Sequence, residues 1–317
     1  MPNIFLMEQG IIVKRQENQI RVEKDERKLM AFPISYIDGI YAFGNVEIKP
    51  TAINFLLQNN KFVAFLSLKG AMNGILIKEI LQSNNNNRIN QLKIVLDDNI
   101  RLSFAKEIIF KKLENTETVF GISLQAEKDR LRSVKSIEQL LGVEGMGSYK
   151  MFEVFKSLVN ELGFNFQRRD YNPPPDEVNA LLSSIYIYYY NIILPKIIIN
   201  GFDPYIGVLH SKRGTHRAFV SDIMEVSRPQ LTMIAYEFLK TKGNELSFKK
   251  VKEGVYLSEE SIRTLVRSIT PKFQDLIEEN VKFLRSSDIL NSVRVADFIF
   301  QISQDQQFMS LKAQNVR

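Results

Sequence analysis

The chain has 317 residues, of which 44% are hydrophobic and 25% are charged, a composition typical of globular proteins rather than disordered ones. It contains no cysteine, which excludes disulfides, zinc knuckles, iron–sulfur clusters and cysteine nucleophiles. The net charge of +6 raises the expectation of a polyanionic partner only modestly.

The first 80 residues favour β-structure. Short runs rich in Ile, Val, Tyr and Phe predict strands, and Pro50 predicts the start of a short helix over residues 51–58. Four consecutive asparagines, Asn84–Asn87, are typical of a loop or linker. We therefore expect a β-rich domain over residues 1–85 and a second domain over residues 86–317.

The second region has a helical pattern. Ser136 and Gln139 resemble a capping box at the start of one helix, and Ser258 is a typical first residue of another. Asp176 precedes a long apolar stretch that ends near residue 199. The expected fold is thus α+β, with two domains: a β-rich N-terminal domain followed by a mainly α-helical one.

The apolar stretch over residues 181–199 is the strongest candidate for a membrane span. It contains four tyrosines, two serines, an asparagine, Pro195 and Lys196, whereas a spanning helix needs about 20 mostly apolar residues. A buried core helix is the better interpretation. The N-terminus lacks the basic residue that precedes the apolar part of a signal peptide, so we expect no such peptide.

The two histidines of the chain, His210 and His216, lie close to two carboxylates. Asp222 and Glu225 would share one face of a predicted helix, with Arg228 one turn further on. One imidazole and two or three carboxylates can bind Mg²⁺ or Mn²⁺. The same residue types more often form a solvated salt-bridge network beside a surface histidine, so their spacing alone does not establish a metal site.

Glu144 is surrounded by three glycines, Gly142, Gly145 and Gly147. Each costs a helix roughly 1 kcal/mol relative to alanine. Either a ligand approaches the backbone near Glu144, or two helices pack tightly there, and the local sequence does not distinguish these explanations.

Basic residues near these positions could neutralise phosphates, although a solvated surface position is the commoner role for any one of them. The candidates for DNA binding are Arg168, Arg169, Lys212, Arg213, Arg217 and Arg228.

Six segments together, in this order, resemble the CRISPR-associated endonuclease and integrase family, the Cas1 family. The segments are residues 41–52, 61–70 (KFVAFLSLKG), 143–145 (VEG), 173–183, 201–210 (GFDPYIGVLH) and 222–229 (DIMEVSRP). The resemblance extends over roughly residues 1–290 and is weak between residues 84 and 135.

The resemblance implies a catalytic site. It implies that Glu144, His210 and Glu225 are the metal ligands and that Asp222 is a further acid of the site. Mg²⁺ or Mn²⁺ would polarise the scissile phosphate of double-stranded or branched DNA. The nucleophile would be a DNA 3′-hydroxyl in integration and water in the nuclease reaction.

The resemblance also implies a biological setting. Captured DNA fragments would be inserted into CRISPR arrays as spacers during antiviral defence, in the prokaryotic cytoplasm and without a membrane. The family implies a homodimer formed through the β-rich domain, and a small partner, Cas2.

Two alternatives differ from this interpretation. The chain could be a DNA-binding scaffold that kept the fold and lost activity, which the intact set of acids and histidine argues against. It could also be an oxygenase-like metalloenzyme that uses His210, His216 and Asp222, in which case His216 would be essential.

Overall fold

The computed structural model describes residues 2–79, 82–170, 173–210, 216–288, 290 and 291, with only the backbone of residues 82–85. The N-terminal region is rich in strands, as predicted. Its elements are β1 (Asn3–Leu6), β2 (Ile11–Gln16), β3 (Gln19–Lys24), β4 (Arg27–Pro33), β5 (Gly39–Phe43), β6 (Val46–Ile48), α1 (Pro50–Gln58), β7 (Phe62–Leu66) and β8 (Met72–Leu76).

One sheet has the strand order β1-β5-β7-β8, in which β1, β5 and β7 are parallel and β8 is antiparallel to β7. Every residue of β5 is buried. Because side chains alternate along a strand, Ile40 and Ala42 face one side of the sheet and Tyr41 and Phe43 face the other. This sheet therefore has a core on each of its faces.

The second sheet has the order β4-β3-β2-β6 and covers one of these cores. Val13, Ile20 and Val22 belong to the same buried cluster as Ile40, and so do Ala52, Phe55 and Leu56 of α1. The predicted short helix at Pro50 is confirmed.

The chain then becomes mainly helical, as predicted. The later elements are α2 (Gln82–Leu96), α3 (Asp98–Phe120), α4 (Gln125–Ser133), α5 (Ile137–Glu161), α6 (Glu177–Ile199), α7 (Ala218–Lys242), β9 (Phe248–Val251), β10 (Gly254–Leu257), α8 (Glu259–Ile269) and α9 (Phe273–Ser286).

The predicted helix starts are confirmed. Ser136 accepts a hydrogen bond from the Gln139 amide at 3.3 Å, and Asp176 accepts one from the Asn179 amide at 2.7 Å. Ser258 caps α8 in the same way. Each cap satisfies an amide that the helix itself leaves unpaired.

The prediction of a loop at Asn84–Asn87 is wrong, because these residues lie in α2. Asparagine is only a weak helix breaker, and tertiary contacts outweigh its preference. Later in the helix the Gln91 side-chain amide donates to the carbonyls of Asp203 (2.9 Å) and Ile206 (2.8 Å), and Ile94 is fully buried. The division of the chain at residue 85 stays a prediction.

α6 connects the sheet to the helices. By length and composition it could cross a membrane, yet 67% of its most apolar window is buried inside the protein. The Tyr41 hydroxyl donates to the Ile192 carbonyl (2.7 Å), Asn191 donates to the Gly70 carbonyl (3.1 Å), and Lys196 pairs with Asp38. α6 is therefore a core helix, as predicted.

The contact between Gly70 and Tyr188 is a point where the sheet and α6 allow no extra atom. Gly70 has φ +79°, and an added Cβ would lie 2.4 Å from Tyr188 Cδ2. Gly70→Ala should lower the free energy of unfolding by about 1–3 kcal/mol through backbone strain, with the clash adding to it. Urea unfolding measures the change. Gly74→Ala is the control, since its Cβ would meet nothing within 4 Å, and equal stability of the two variants would contradict the prediction.

Candidate active site

His210 is held at the end of a loop that is tied to two helices. The Gln91 side chain binds the carbonyls of Asp203 and Ile206, and Arg101 Nε donates to the Val208 carbonyl at 2.7 Å. The backbone before His210 is thereby fixed from α2 and α3.

Asp222 completes the support of this loop. Its carboxylate is fully buried and accepts hydrogen bonds from the backbone amides of Val208 (2.5 Å), Leu209 (3.1 Å) and His210 (2.9 Å). It also accepts one from His210 Nδ1 at 2.7 Å. Because Nδ1 is engaged, Nε2 is the ring nitrogen left for a ligand, and no described residue hydrogen-bonds it.

The position of Asp222 differs from the sequence expectation. We expected it beside Glu225 as an acid of the site, but it lies behind His210 and does not line the cavity described below. Its contacts are with the His210 ring and with the backbone of the loop that ends at His210.

Two carboxylates from different helices meet at one ammonium group. Lys112 of α3 donates to Glu144 of α5 and to Glu225 Oε2 of α7, the latter at 2.7 Å. Arg228 Nε donates to both Glu225 oxygens, at 3.0 and 2.9 Å, and Ser148 Oγ donates to Glu144 Oε1 at 2.7 Å.

These contacts keep both glutamates ionised. Burial by itself would raise the pKa of Glu225, but the charges of Arg228 and Lys112 outweigh it and hold that pKa well below its usual value. Burial likewise opposes ionisation of Glu144, and the Lys112 charge lowers its pKa. The pKa of Lys112 is raised, because Glu225 and Glu144 outweigh the desolvation that would lower it.

The predicted ligands surround one cavity of about 1110 Å³. Glu144, His210 and Glu225 all line it, with Lys112 between the two carboxylates. Within the described part of the chain, no three His, Asp or Glu side chains are grouped closely enough to bind an ion. The cation that the two glutamates contact here is the Lys112 ammonium.

The predicted DNA-binding residues have different surroundings. Arg168 is exposed at the cavity, and Arg217 lines it and reaches Asn191 at 3.5 Å. Arg169 also lines it, but donates to Asn179 Oδ1 (2.9 Å) and to Ser183. Arg228 is bound to Glu225, and Lys212 and Arg213 lie outside the described residues. DNA contact by these residues stays a prediction.

The glycines around Glu144 have more than one explanation. A Cβ at Gly147 would lie 2.5 Å from Leu113 Cδ2, so this glycine allows α5 to approach α3 closely. A Cβ at Gly142 or Gly145 would meet nothing within 4 Å. Helix packing therefore explains Gly147 but not the other two.

His216 lines the same cavity as His210 but has different contacts. Its Nε2 lies 3.0 Å from Ser221 Oγ, and its ring stacks on Tyr190 with centroids 6.0 Å apart. The carboxylate of Asp222 is meanwhile committed to His210 and its loop. This arrangement does not support the oxygenase interpretation.

Sequence reasoning missed Lys112 and Ser148. Lys112 follows Ile108 by one helical turn on a buried face, and a lysine at such a position signals a buried counter-charge. Ser148 lies one turn after Glu144.

Asp222 should raise the pKa of His210, because its hydrogen bond and its charge outweigh the burial that would lower that pKa. In Asp222→Asn we expect the pKa of His210 to fall. An NMR titration of the imidazole protons measures this directly, since the chain has only two histidines and His216→Gln assigns the signals. Asp203→Asn is the control, since Asp203 lies in the same loop and binds the Tyr205 amide instead. An unchanged His210 pKa in folded Asp222→Asn would refute the prediction that Asp222 raises it.

A family model described as "CRISPR associated protein Cas1" matches residues 4–270. The chain is similar to a CRISPR-associated endonuclease Cas1 of Thermodesulfovibrio yellowstonii, with 25% identity over 308 residues and 93% of each chain covered.

Two solved structures have a similar fold. One is a partial Cas6-RT-Cas1–Cas2 complex, with a TM-score of 0.70, 19% identity and coverage of 93% of this chain and 96% of that one. The other is a casposase bound to integration product, with a TM-score of 0.64, 20% identity and coverage of 86% and 83%.

Proposed function

Because the chain belongs to the Cas1 family of CRISPR-associated proteins, we propose that it is a divalent-metal-dependent DNA endonuclease and integrase. Its role would be to insert captured DNA fragments into CRISPR arrays by phosphoryl transfer. One observation carries the proposal: Glu144, His210 and Glu225, which are 66 and 15 positions apart in sequence, line a single cavity. The endonuclease name of the relative and the integration product in the casposase structure support it.

Glu144, Glu225 and His210 would hold the metal. Carboxylate oxygens suit Mg²⁺ and Mn²⁺, and the imidazole tilts the preference toward Mn²⁺. The chemistry of this donor set fits, since two ionised carboxylates already share one cation and His210 has the carboxylate support that metal-binding histidines usually have. When bound, the cation supplies charge neutralisation at the scissile phosphate and activation of the nucleophile.

The other residues of the site would orient the three metal ligands. Asp222 fixes the tautomer and direction of the His210 ring. Arg228 holds both oxygens of Glu225, and Ser148 holds Glu144.

The mouth of the cavity suits a DNA strand. Arg168 is exposed there and would neutralise a phosphate. Tyr149 and Ile187 line the same cavity and are 61% and 62% exposed, which offers bases a surface for stacking and apolar contact.

The assembly would involve two further interactions. A homodimer through the β-rich domain and a complex with Cas2 belong to the proposal, and the similarity to a Cas1–Cas2 complex supports the second. Cytoplasmic localisation in a prokaryote is proposed with them.

Loss of any proposed ligand should abolish strand transfer. His210→Ala, Glu144→Gln and Glu225→Gln should each lower the rate on branched DNA with Mn²⁺ by about 100-fold or more, because single oriented electrostatic groups are worth that much in transition states. Gel-resolved transfer products measure the rate, with and without Cas2. Glu161→Gln, at the exposed end of α5, is the control.

The outcomes separate the competing interpretations. Retained activity in His210→Ala would mean that the site is wrong. DNA binding without metal-dependent turnover in the wild type, even with Cas2, would favour the non-catalytic scaffold.

Activity should fall as the pH is lowered, since His210 must be neutral to bind a cation. Its pKa is raised, because Asp222 outweighs the effect of burial, so the loss should begin above pH 6.5, the ordinary histidine value. Transfer rates between about pH 5.5 and 8.5 would locate the midpoint, which Asp222→Asn should move to lower pH.

The stability of the fold should not follow the same pH dependence as the transfer rate. A histidine whose pKa is raised by folding stabilises the folded protein at pH values below its unfolded pKa. This stabilisation is lost as the pH rises through the pKa of the folded state. The stability supplied by Glu144 and Glu225 is lost only below their ordinary range. Thermal unfolding at each pH checks this, and a rate that does not change with pH would contradict the role of His210.

A further inference from the structure

Lys112 is a buried charge that the proposed chemistry does not yet use. Its side chain is 2% exposed, on a face of α3 that also carries Ile108 and Ile109. A buried ammonium is strongly unfavourable without counter-charges, and Glu144 and Glu225 supply them. One ammonium group thus joins α3, α5 and α7.

The two cations of the cluster are not equivalent. Arg228 binds Glu225 through both carboxylate oxygens and lies over the Tyr186 ring at 4.9 Å. Lys112 makes one contact with each glutamate and is therefore the cation that lies between the two proposed ligands. Together the two cations balance the two carboxylates.

An ammonium and a divalent ion would compete for these carboxylates. The Lys112 hydrogen bonds use oxygens of both proposed ligands, and a divalent ion bound to the same oxygens would lie close to the ammonium, where like charges repel. Lys112 also lines the cavity, and its flexible four-carbon stem gives the ammonium a route into that space.

We propose that Lys112 is a built-in competitor for the metal site: its ammonium holds Glu144 and Glu225 in place before an ion binds, and withdraws from between them when the ion enters. Lys112 thereby sets the affinity of the site for divalent cations. This inference rests on the proposed function and specifies how its metal site is regulated.

The test is direct Mn²⁺ binding to the full-length protein without DNA, measured by EPR of free Mn²⁺ and by calorimetry. Lys112→Met removes the charge and keeps a stem of similar length. It should bind Mn²⁺ at least about tenfold more tightly than the wild type, since removing one nearby like charge exceeds the free energy of a tenfold change.

Thermal unfolding gives a second readout. Without metal, Lys112→Met should have a lower Tm than the wild type, because Glu144 and Glu225 then repel each other. Saturating Mn²⁺ should raise its Tm by more than it raises that of the wild type.

Lys111→Met is the matched control. Lys111 is the preceding residue of α3, 36% exposed, and contacts Glu114 at 3.4 Å. Its Mn²⁺ affinity and metal-dependent Tm shift should equal those of the wild type.

Lys112→Arg serves if Lys112→Met does not fold. The planar guanidinium can bridge the two carboxylates and withdraws less readily, so this variant should bind Mn²⁺ more weakly than the wild type. Unchanged affinity in Lys112→Arg, or unchanged or weaker affinity in folded Lys112→Met, would overturn the competitor role.

Failure of the metal site itself would give a different result. If the wild-type protein binds no Mn²⁺, or if Glu225→Gln binds Mn²⁺ as tightly as the wild type, the proposed site and this inference are both overturned. Specific binding with no effect of Lys112 would overturn the inference alone.

Discussion

The buried Glu225 and the partly buried Glu144 lie where three helices meet, and they can stay ionised there only if cations lie beside them. Removing each ion from water costs several kcal/mol, and only close counter-charges offset that cost. Lys112 and Arg228 provide these charges for Glu144 and Glu225. The spacing of α3, α5 and α7 is therefore constrained by a neutral cluster of four charges. Because Gly147 has no side chain, α5 can come close enough to α3.

The N-terminal sheet contributes to this site through α6. On the sheet side of α6, the Ile192 carbonyl accepts a hydrogen bond from the Tyr41 hydroxyl, and the Asn191 side chain donates one to the Gly70 carbonyl. On the site side, the Tyr186 ring lies beneath the Arg228 guanidinium. A helix that packs on both sides must be apolar nearly all round, which is why its sequence resembles a membrane span.

Local signals in the sequence were sufficient for part of this structure. The helix starts at Ser136, Asp176 and Ser258 were predictable because a cap and its amide lie within three residues of each other. The loop predicted at Asn84–Asn87 was wrong because the contacts that stabilise α2 come from more than 100 positions away. The hydrogen bond from Gln91 to the Asp203 carbonyl is one of them.

The site was predictable to a smaller extent. The choice of Glu144, His210 and Glu225 came from family resemblance, since spacing alone favoured a solvated salt-bridge network. Lys112 could not be assigned, because its partners lie 32 and 113 positions along the chain and only the fold brings them together. Its one local signal, a lysine on an apolar helix face, indicates a buried partner without identifying it.

The segment from Asp222 to Arg228 shows how one helix can serve three purposes. Each three-residue step along an α-helix falls about 60° short of a full turn, so Asp222, Glu225 and Arg228 wind across the surface of α7 rather than pointing together. Asp222 accordingly reaches the His210 loop, Glu225 reaches Lys112, and the longer Arg228 reaches Tyr186 and back to Glu225. Rotation of α7 by one residue would break all three contacts at once. The orientation of this single helix therefore couples the imidazole, the carboxylates and the two cations, and the site can be assembled only as a unit.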